Sequence, residues 1–315
     1  MLTLPDFKEK KIVFMANDNE EFHELKFKNS NIALYKDGTC VNQISCHLVL
    51  SLFIIGNTTI SSGLIKNAKE FGISIFLLTN SFETYAEIMS EAEGNYKLRQ
   101  IQYTQTKQSE LAAARKIVEN AVINQHAILK NYKKIVPDQK SLKAIIQATT
   151  LDELLGLEGS NANKFFQTLL VDIGWRRRAP RTKEDIPNLL LDIGFTFLFN
   201  YVDSLLRLFG FDTYKGVYHQ LYFQRKSLSC DLMEPIRPII IRQLLKSYNL
   251  GQISEKDFEF NQGSYALKTK ARRKYVDIWF RIIMENKEKI YTYILNYYRH
   301  ILYPERYPFP TFTLE

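Results

Sequence analysis

Three acidic side chains and one histidine lie in sequence surroundings where such polar groups are unexpected. Two of them, Asp231 and Glu234, stand three residues apart in SLSCDLMEPIRPIII. On a helix they would be neighbours, with Cβ atoms about 5–6 Å apart. Two carboxylates that close repel each other unless they are solvated, share a proton or hold a cation. Taken alone, the pair is more typical of a solvated helix face than of a binding site.

The other two are His219 and Glu158. His219 ends the tyrosine-containing segment FDTYKGVYH, and Glu158 lies between two glycines in LLGLEGSNANKFF. A lone histidine is more often a packed or surface residue than a ligand. A glutamate there is typical of a first helical turn, where the helix dipole favours a negative charge. Considered separately, none of the four predicts a site.

The first third of the chain has the pattern of a small sheet. Ser61 and Ser62 can cap one helix, which Gly72 ends. Runs rich in β-forming residues predict strands at 11–15, 31–35, 47–55 and 73–78. Residues 79–90 are interpreted as part of a connector.

From about residue 95 onward the apolar spacing is helical. One long apolar stripe follows residues 109–130, and Pro304, Pro308 and Pro310 exclude regular helix or central strand from the tail. Further helices are predicted at 151–156, 159–173, 187–209, 227–248, 254–258 and 265–299. We therefore predict an α+β fold, with a β-rich domain at 1–80, a linker at 81–94, a larger all-α domain at 95–303 and a Pro-rich tail at 304–315.

Composition indicates a soluble globular protein: 315 residues, 45% hydrophobic and 24% charged. No stretch approaches the roughly 20 apolar residues of a membrane span, and no signal peptide is evident, so a cytoplasmic protein without a membrane partner is expected. The three cysteines, Cys40, Cys46 and Cys230, include no CxxC pair. They support neither a disulfide framework nor a zinc knuckle and are expected to be small apolar fillers.

The positive charge is unevenly distributed. Residues 1–90 carry 8 Lys and Arg against 10 Asp and Glu, whereas residues 91–315 carry 34 against 24. A polyanion such as DNA is the natural partner for the basic part. The candidate phosphate contacts are Arg176, Arg177 and Arg178 in a Pro-containing loop, and Arg225, Lys226 and Arg237 around the acidic pair. The triple-arginine run could equally be a solvated charge run. Most of the 18 tyrosines are expected in the core, although Tyr214, Tyr218 and Tyr222 could stack on unpaired bases.

Taken together, the four positions match a family. LLGLEGSNANKFF, FGFDTYKGVYH and SLSCDLMEPIRPIII resemble, in order and spacing, the glutamate, histidine and paired acidic motifs of Cas1, the CRISPR adaptation integrase. NIALYKDGTCVNQISC, IIGNTTISSGLIKNAKEFGISIFLL and GNYKLRQIQY resemble its N-terminal half. The resemblance spans residues 10–260.

The resemblance implies that Glu158, His219 and Glu234 coordinate one divalent metal, with Asp231 as a further ligand or as an outer carboxylate. The last family position is often aspartate, so Glu234 adds one methylene of reach. Oxygen ligands with one imidazole and no thiolate suit Mg²⁺ or Mn²⁺ better than structural zinc. A proton-shuttling role for His219 is the alternative.

The implied activity is a metal-dependent DNA integrase and endonuclease. The 3′-OH of a spacer precursor would attack a CRISPR repeat by in-line transesterification. Members of the family form dimers through the β-rich domain and flank a Cas2 dimer, so the expected partners are DNA, a second copy and Cas2. An integrase of a mobile element and a non-catalytic DNA-binding scaffold are the alternatives.

Overall fold

The computed structural model describes residues 4–17, 22–92, 94–136, 139–220 and 222–314. The chain divides into two compact units. Met1–Asn95 and Asp203–Phe211 form the first, and Tyr96–Val202 and Asp212–Glu315 form the second. A β-rich region precedes a larger helical one, so the predicted fold class is confirmed.

The described part of the first unit contains two four-stranded sheets. One has the strand order β1-β5-β7-β8, and the other β4-β3-β2-β6. The strands are β1 (Lys11–Ala16), β2 (His23–Lys28), β3 (Asn31–Lys36), β4 (Thr39–Ser45), β5 (Val49–Ile55), β6 (Thr59–Ile60), β7 (Ser74–Leu78) and β8 (Thr84–Ile88). Strand β5, VLSLFII, is buried at every position and pairs in parallel with β1 and β7. Burial on both faces is what a continuous apolar run predicts for a central strand.

Helix α2 (Ser62–Glu70) connects the two sheets along the chain. The hydroxyl of Ser61 caps it by accepting the N–H of Leu64 at 3.3 Å, and Gly72 follows its end at a φ of 73°. Only glycine adopts this left-handed conformation without strain, so the predicted start and stop signals are both used. Helix α1 (Leu4–Glu9) precedes the first strand.

The predicted linker at 81–94 is wrong over part of its length. Residues Thr84–Ile88 form β8, which pairs antiparallel with β7. The first unit also extends to Asn95 and takes in Asp203–Phe211, the end of a helix from much later in the chain. This five-residue strand lies at a sheet edge and none of its residues is fully buried, so its sequence shows no clear hydrophobic alternation and suggested a connector.

Helices dominate the second unit. They are α3 (Tyr96–Thr104), α4 (Lys107–Lys133), α5 (Gln139–Gln147), α6 (Leu151–Leu170), α7 (Ile186–Phe209, which ends in the first unit), α8 (Ser227–Met233), α9 (Pro238–Asn249), α10 (Arg272–Glu285) and α11 (Lys287–Leu302). A two-stranded hairpin, β9 (Phe258–Asn261) and β10 (Ser264–Leu267), is the exception to the all-α prediction.

Several predicted helices differ from those in the structure, and the one predicted at 254–258 is a short 3-10 turn, Glu255–Asp257, followed by a strand. Residues 151–173 hold one helix to Leu170, because two interior glycines cost only about 1 kcal/mol each and do not break it. The helix predicted over 227–248 is interrupted at 234–237, where Pro235 has no N–H to donate and Pro238 begins α9. The 265–299 segment begins as strand β10 and then forms two helices.

Helix α7 is long and apolar enough to cross a membrane, but 83% of its most apolar window is buried inside the protein. It is therefore a core helix. Gly194 allows close packing there, since a Cβ at that position would lie 2.6 Å from Ile240 and 3.2 Å from Trp279.

Candidate active site

Asp231 is fully buried on α8 and accepts four hydrogen bonds. Its Oδ2 accepts the backbone N–H groups of Val217 and Tyr218 at 2.7 and 3.0 Å, and its Oδ1 accepts the N–H of His219 at 2.9 Å. The fourth bond joins Oδ1 to His219 Nδ1 at 2.7 Å. Gly216 makes this wrapping possible, because a Cβ there would lie 2.6 Å from Asp231 Oδ2. Asp231 is thus an orienting carboxylate, and the solvated-face interpretation is wrong for it.

The bond to Asp231 fixes the imidazole of His219. With Nδ1–H donated to a carboxylate, Nε2 is the nitrogen left with a lone pair. The side chain of His219 is 14% exposed, and its ring lies 4.8 Å from that of Tyr218, centroid to centroid. This is the arrangement that presents one imidazole nitrogen as a ligand or as a base.

Glu158 and Glu234 supply two further carboxylates in the same neighbourhood. Glu158 lies in the middle of α6, so the first-turn interpretation is wrong, and Glu234 follows the last residue of α8 with only 8% of its surface exposed. Burial and, after it, the charge of Glu234 raise the pKa of Glu158 to about 7, while Arg237 and His219 oppose the shift. The three predicted ligands are therefore electrostatic neighbours.

Arg237 neutralises part of this negative charge. Its guanidinium donates to Glu234 Oε1 at 2.7 Å and lies 4.5 Å from the centroid of the Phe195 ring. Within the described residues, no three His, Cys, Asp or Glu side chains are arranged as a ready metal site. The donor types nevertheless suit a hard divalent cation, which would favour the ionised form of Glu158 against the burial and the Glu234 charge that raise its pKa.

Two asparagines on α4 support the site and were not found from the sequence. Asn124, 1% exposed, donates to the carbonyl oxygens of both Pro235 and Phe312 at 2.8 Å. Asn120 donates to Phe312 O at 2.9 Å and accepts its N–H at 2.8 Å. The tail, which has no regular structure over 304–314 as predicted, is thereby joined to the turn that carries Glu234. No local signal distinguishes these asparagines from surface ones.

The three consecutive arginines have different environments. Arg178 is half-buried and donates to Asn188 and Asp192 of α7 at 2.9 and 2.5 Å. Arg177 forms a paired contact with Glu184 at 3.1 and 2.9 Å, and Arg176 is exposed. Arg178 holds the loop against α7, whereas the other two remain candidates for phosphate contacts.

The remaining candidates are also distributed between surface and interior. Arg225 is exposed and interacts with the Cys230 thiol, while the Lys226 ammonium lies 5.9 Å from the Phe199 ring centroid. Tyr218 is buried in an apolar cluster, so base stacking is excluded for it, whereas Tyr214 and Tyr222 are exposed.

The cysteines only partly follow the prediction. Cys46 is a buried filler, but Cys40 is exposed and Cys230 is partly exposed beside the site. The polar groups recorded around Cys230 are its sequence neighbours Arg225, Asp231 and Glu234, so a filler role was a poor expectation for it.

A family model described as CRISPR associated protein Cas1 matches residues 19–281. The chain belongs to the Cas1 family. Among curated proteins, it is 27% identical over 282 residues to CRISPR-associated endonuclease Cas1 2 of Rhodospirillum rubrum, covering 81% of this chain and 82% of that one. It is 23% identical to CRISPR-associated endonuclease Cas1 1 of Thermodesulfovibrio yellowstonii, covering 84% and 89%. Membership supports nuclease or integrase activity.

Solved structures share the fold. The Cas1 protein TM1797 of Thermotoga maritima superposes with a TM-score of 0.84 at 21% identity, covering 97% of this chain and 99% of that one. A casposase bound to integration product gives 0.82 at 16% identity, covering 96% and 93%. A Cas6-RT-Cas1–Cas2 complex gives 0.78 at 24% identity, covering 98% of this chain and 36% of the other.

Proposed function

We propose that this Cas1 protein is a divalent-metal-dependent DNA integrase and endonuclease that inserts spacer DNA into a CRISPR array. The proposal is carried by one observation: Asp231 accepts four N–H donors and fixes His219, while Glu158 and Glu234 crowd the same neighbourhood. Buried, oriented donors of this kind are typical of a preorganised site rather than of a folding core.

In this proposal Glu158, His219 and Glu234 hold Mg²⁺ or Mn²⁺. A bound cation of this type polarises the phosphodiester under attack and stabilises charge on its oxygens. Asp231 keeps the His219 ring in one tautomer and one orientation. Arg237, which donates to Glu234 Oε1 at 2.7 Å, would also offer guanidinium N–H groups to a phosphate oxygen at the site. The 3′-OH of one strand then displaces the 3′ oxygen of the attacked phosphodiester.

The partners proposed are DNA, a second copy of the chain and Cas2, in the cytoplasm. The net charge of +10 on residues 91–315 supports DNA binding by the helical part. The similarity to the Cas6-RT-Cas1–Cas2 complex supports Cas2 as a partner. An integrase of a mobile element is the second candidate, favoured by the similarity to the casposase.

The test is strand transfer by purified protein with Mn²⁺, using a spacer-like duplex and a repeat-containing target. We expect His219→Ala and Glu158→Ala each to abolish the product while duplex affinity falls by less than about threefold, because phosphate contacts supply most of the affinity. Asp152→Ala, an exposed acidic position on the same helix, is the matched control.

Near-wild-type integration by either variant would show that the site is elsewhere. A wild-type protein that binds branched DNA but leaves it unjoined and uncut in Mn²⁺ would support the non-catalytic scaffold. A requirement for terminal inverted repeats instead of a CRISPR repeat would favour the mobile-element integrase.

A further inference from the structure

The hydroxyl of Tyr218 is a buried donor without a partner. Tyr218 is 4% exposed and belongs to an apolar cluster that includes Leu154 of α6 and residues of α4 and α5. Its side-chain oxygen has no hydrogen-bond partner among the described residues. Buried polar groups are nearly always paired, because an unpaired one loses its bonds to water and gains none in return. A phenylalanine would suit the cluster better, so the hydroxyl needs a reason other than packing.

Glu158 is a neighbouring acceptor for this donor. It lies four residues after Leu154 on α6, so the two side chains share one face of the helix. Because Tyr218 is in the same cluster as Leu154, its ring lies beside the turn that carries Glu158. Burial, and after it the charge of Glu158, raises the pKa of the Tyr218 phenol. The phenol therefore keeps its proton and remains a donor.

The other two carboxylates of the candidate site already have hydrogen bonds. Asp231 accepts four of them, and Glu234 accepts an N–H of Arg237 at 2.7 Å. Glu158 is the one of the three that accepts no hydrogen bond within the described part of the chain. A buried donor without an acceptor and a carboxylate without a donor are thus neighbours.

The segment that carries Tyr218 is held in place. The N–H of Tyr218 donates to Asp231 Oδ2 at 3.0 Å, and that of His219 donates to Oδ1 of the same carboxylate at 2.9 Å. Tyr218 therefore presents its hydroxyl from a fixed backbone and a packed ring. Glu158 has the longer and more flexible side chain, so it is the member of the pair that adjusts.

We propose that Tyr218 is a positioning residue whose hydroxyl donates to one carboxylate oxygen of Glu158 and leaves the other oxygen for the metal. This inference rests on the proposed function, since it takes Glu158 as a metal ligand. Outer hydrogen bonds of this kind orient ligating groups, and their loss typically lowers metal affinity by roughly 10–100-fold. The hydroxyl would then serve metal binding at a cost to the stability of the metal-free protein.

The test is calorimetric titration of the full chain with Mn²⁺, together with thermal unfolding in metal-free buffer. Tyr218→Phe removes one oxygen and keeps the ring. We expect Mn²⁺ affinity to fall about tenfold, because Glu158 loses its orienting partner. The midpoint of unfolding should stay the same or rise, because a buried unpaired group is removed.

Tyr293→Phe is the matched control. Tyr293 of α11 is 2% exposed, and its hydroxyl also has no hydrogen-bond partner in the described ranges. Burial, and after it the charges of Tyr297 and Asp231, raises its pKa, without a contribution from Glu158. We expect Tyr293→Phe to change Mn²⁺ affinity by less than about twofold. A loss as large as that of Tyr218→Phe would contradict a specific role for Tyr218.

Double variants identify the acceptor. Glu158→Asp shortens the carboxylate that Tyr218 should hold, so adding Tyr218→Phe to it should cost less than about twofold in Mn²⁺ affinity. Adding Tyr218→Phe to Glu234→Asp should still cost about tenfold. The full loss in the Glu158→Asp background would overturn the proposal.

The wild type separates this inference from the proposed function. Mn²⁺ binding by the wild type with unchanged affinity in Tyr218→Phe refutes the positioning role alone. A wild type that binds no Mn²⁺ refutes the proposed metal site and the role of Tyr218 with it.

Discussion

Backbone N–H groups donate most of the hydrogen bonds that hold the Asp231 carboxylate in the candidate site. Three consecutive N–H groups, from Val217 to His219, point at one carboxylate, and the imidazole adds a fourth donor. The carboxylate therefore acts through His219, which it orients. The geometry also depends on Gly216, where a Cβ would lie 2.6 Å from Asp231 Oδ2.

Gly216→Ala should therefore disrupt the site. An added Cβ would approach Asp231 Oδ2 to 2.6 Å and Ser227 Cβ to 2.8 Å, which forces the loop away from the carboxylate. We expect a loss of about 2–4 kcal/mol in the free energy of unfolding, measured with urea, together with loss of strand transfer. Gly156→Ala on α6, where nothing lies within 4 Å, is the control and should be neutral or stabilising. Equal stability of the two variants would contradict the close approach.

Glu158 should make stability depend on pH. Its pKa is raised from 4.5 to about 7 in the folded protein, so between these values the folded state holds a proton that the unfolded state has lost. The contribution of Glu158 to stability is then fully present below pH 4.5 and is lost as pH rises through about 7. Glu158→Gln removes the cost of ionisation, and we expect it to be more stable than the wild type by about 1–2 kcal/mol at pH 8, with no difference near pH 4.5.

Urea unfolding at the two pH values measures this difference. Adding Mn²⁺ at pH 8 supplies the control, because it should stabilise the wild type and leave Glu158→Gln unaffected. A constant difference across pH would mean that the carboxyl is ionised throughout.

At this scale the sequence indicated four candidate site residues but not the contacts among them, such as the bond between Asp231 and His219. Asp231 could be a ligand or an outer carboxylate until the loop placed three backbone donors around it. Likewise, the sequence of the three consecutive arginines does not show that Arg178 bonds to Asp192 while its neighbour Arg176 is exposed. Such distinctions depend on contacts between residues far apart in sequence.

At the level of elements, the break between α8 and α9 positions Glu234. Pro235 cannot donate a hydrogen bond, and its carbonyl is bound by Asn124 instead of by a helical N–H. Asn124 and Asn120 both bind Phe312, but only Asn124 also reaches the break. The two asparagines therefore form a matched pair for mutation.

We expect Asn120→Ala and Asn124→Ala to destabilise the protein similarly, by about 1–3 kcal/mol each, because each leaves buried groups of the tail unpaired. Only Asn124→Ala should also weaken Mn²⁺ binding, measured by calorimetry, since it alone releases the turn before Arg237. Equal metal affinity in the two variants would mean that the tail supports the fold without positioning Glu234.

Element prediction succeeded where the pattern was strong. The apolar strand β5 and the Ser61-capped helix α2 follow from local residues. Strand β4 was missed because most of its side chains are exposed and polar, so it lacks an apolar face to recognise. The single helix α6 was missed because its two glycines resembled a break.

For the whole molecule, the basic charge of residues 91–315 is not all available to DNA. Arg178→Gln should leave Asp192 without its partner inside the protein, and we expect a loss of about 2–4 kcal/mol in the free energy of unfolding.

By contrast, the double variant Arg176→Gln/Arg177→Gln should keep its stability. It should reduce the slope of log affinity for DNA against log salt concentration by about 0.9 for each phosphate that is no longer neutralised.

Urea unfolding measures the first effect, and anisotropy titrations from 50 to 200 mM salt, roughly the range over which phosphate-mediated binding weakens, measure the second. A slope unchanged in the double variant would assign Arg176 and Arg177 to a solvated surface with no part in binding.

The bonds from Asn120 and Asn124 to the tail make Phe312 part of the interior, with only 1% of its surface exposed. Proteolysis that removes Phe312 therefore takes a buried side chain out of the protein interior, although the cut lies in a segment without helix or strand. Preparations that have lost these residues would carry a lesion beside the turn that contains Glu234, and a measurement of intact mass detects it better than a gel band does.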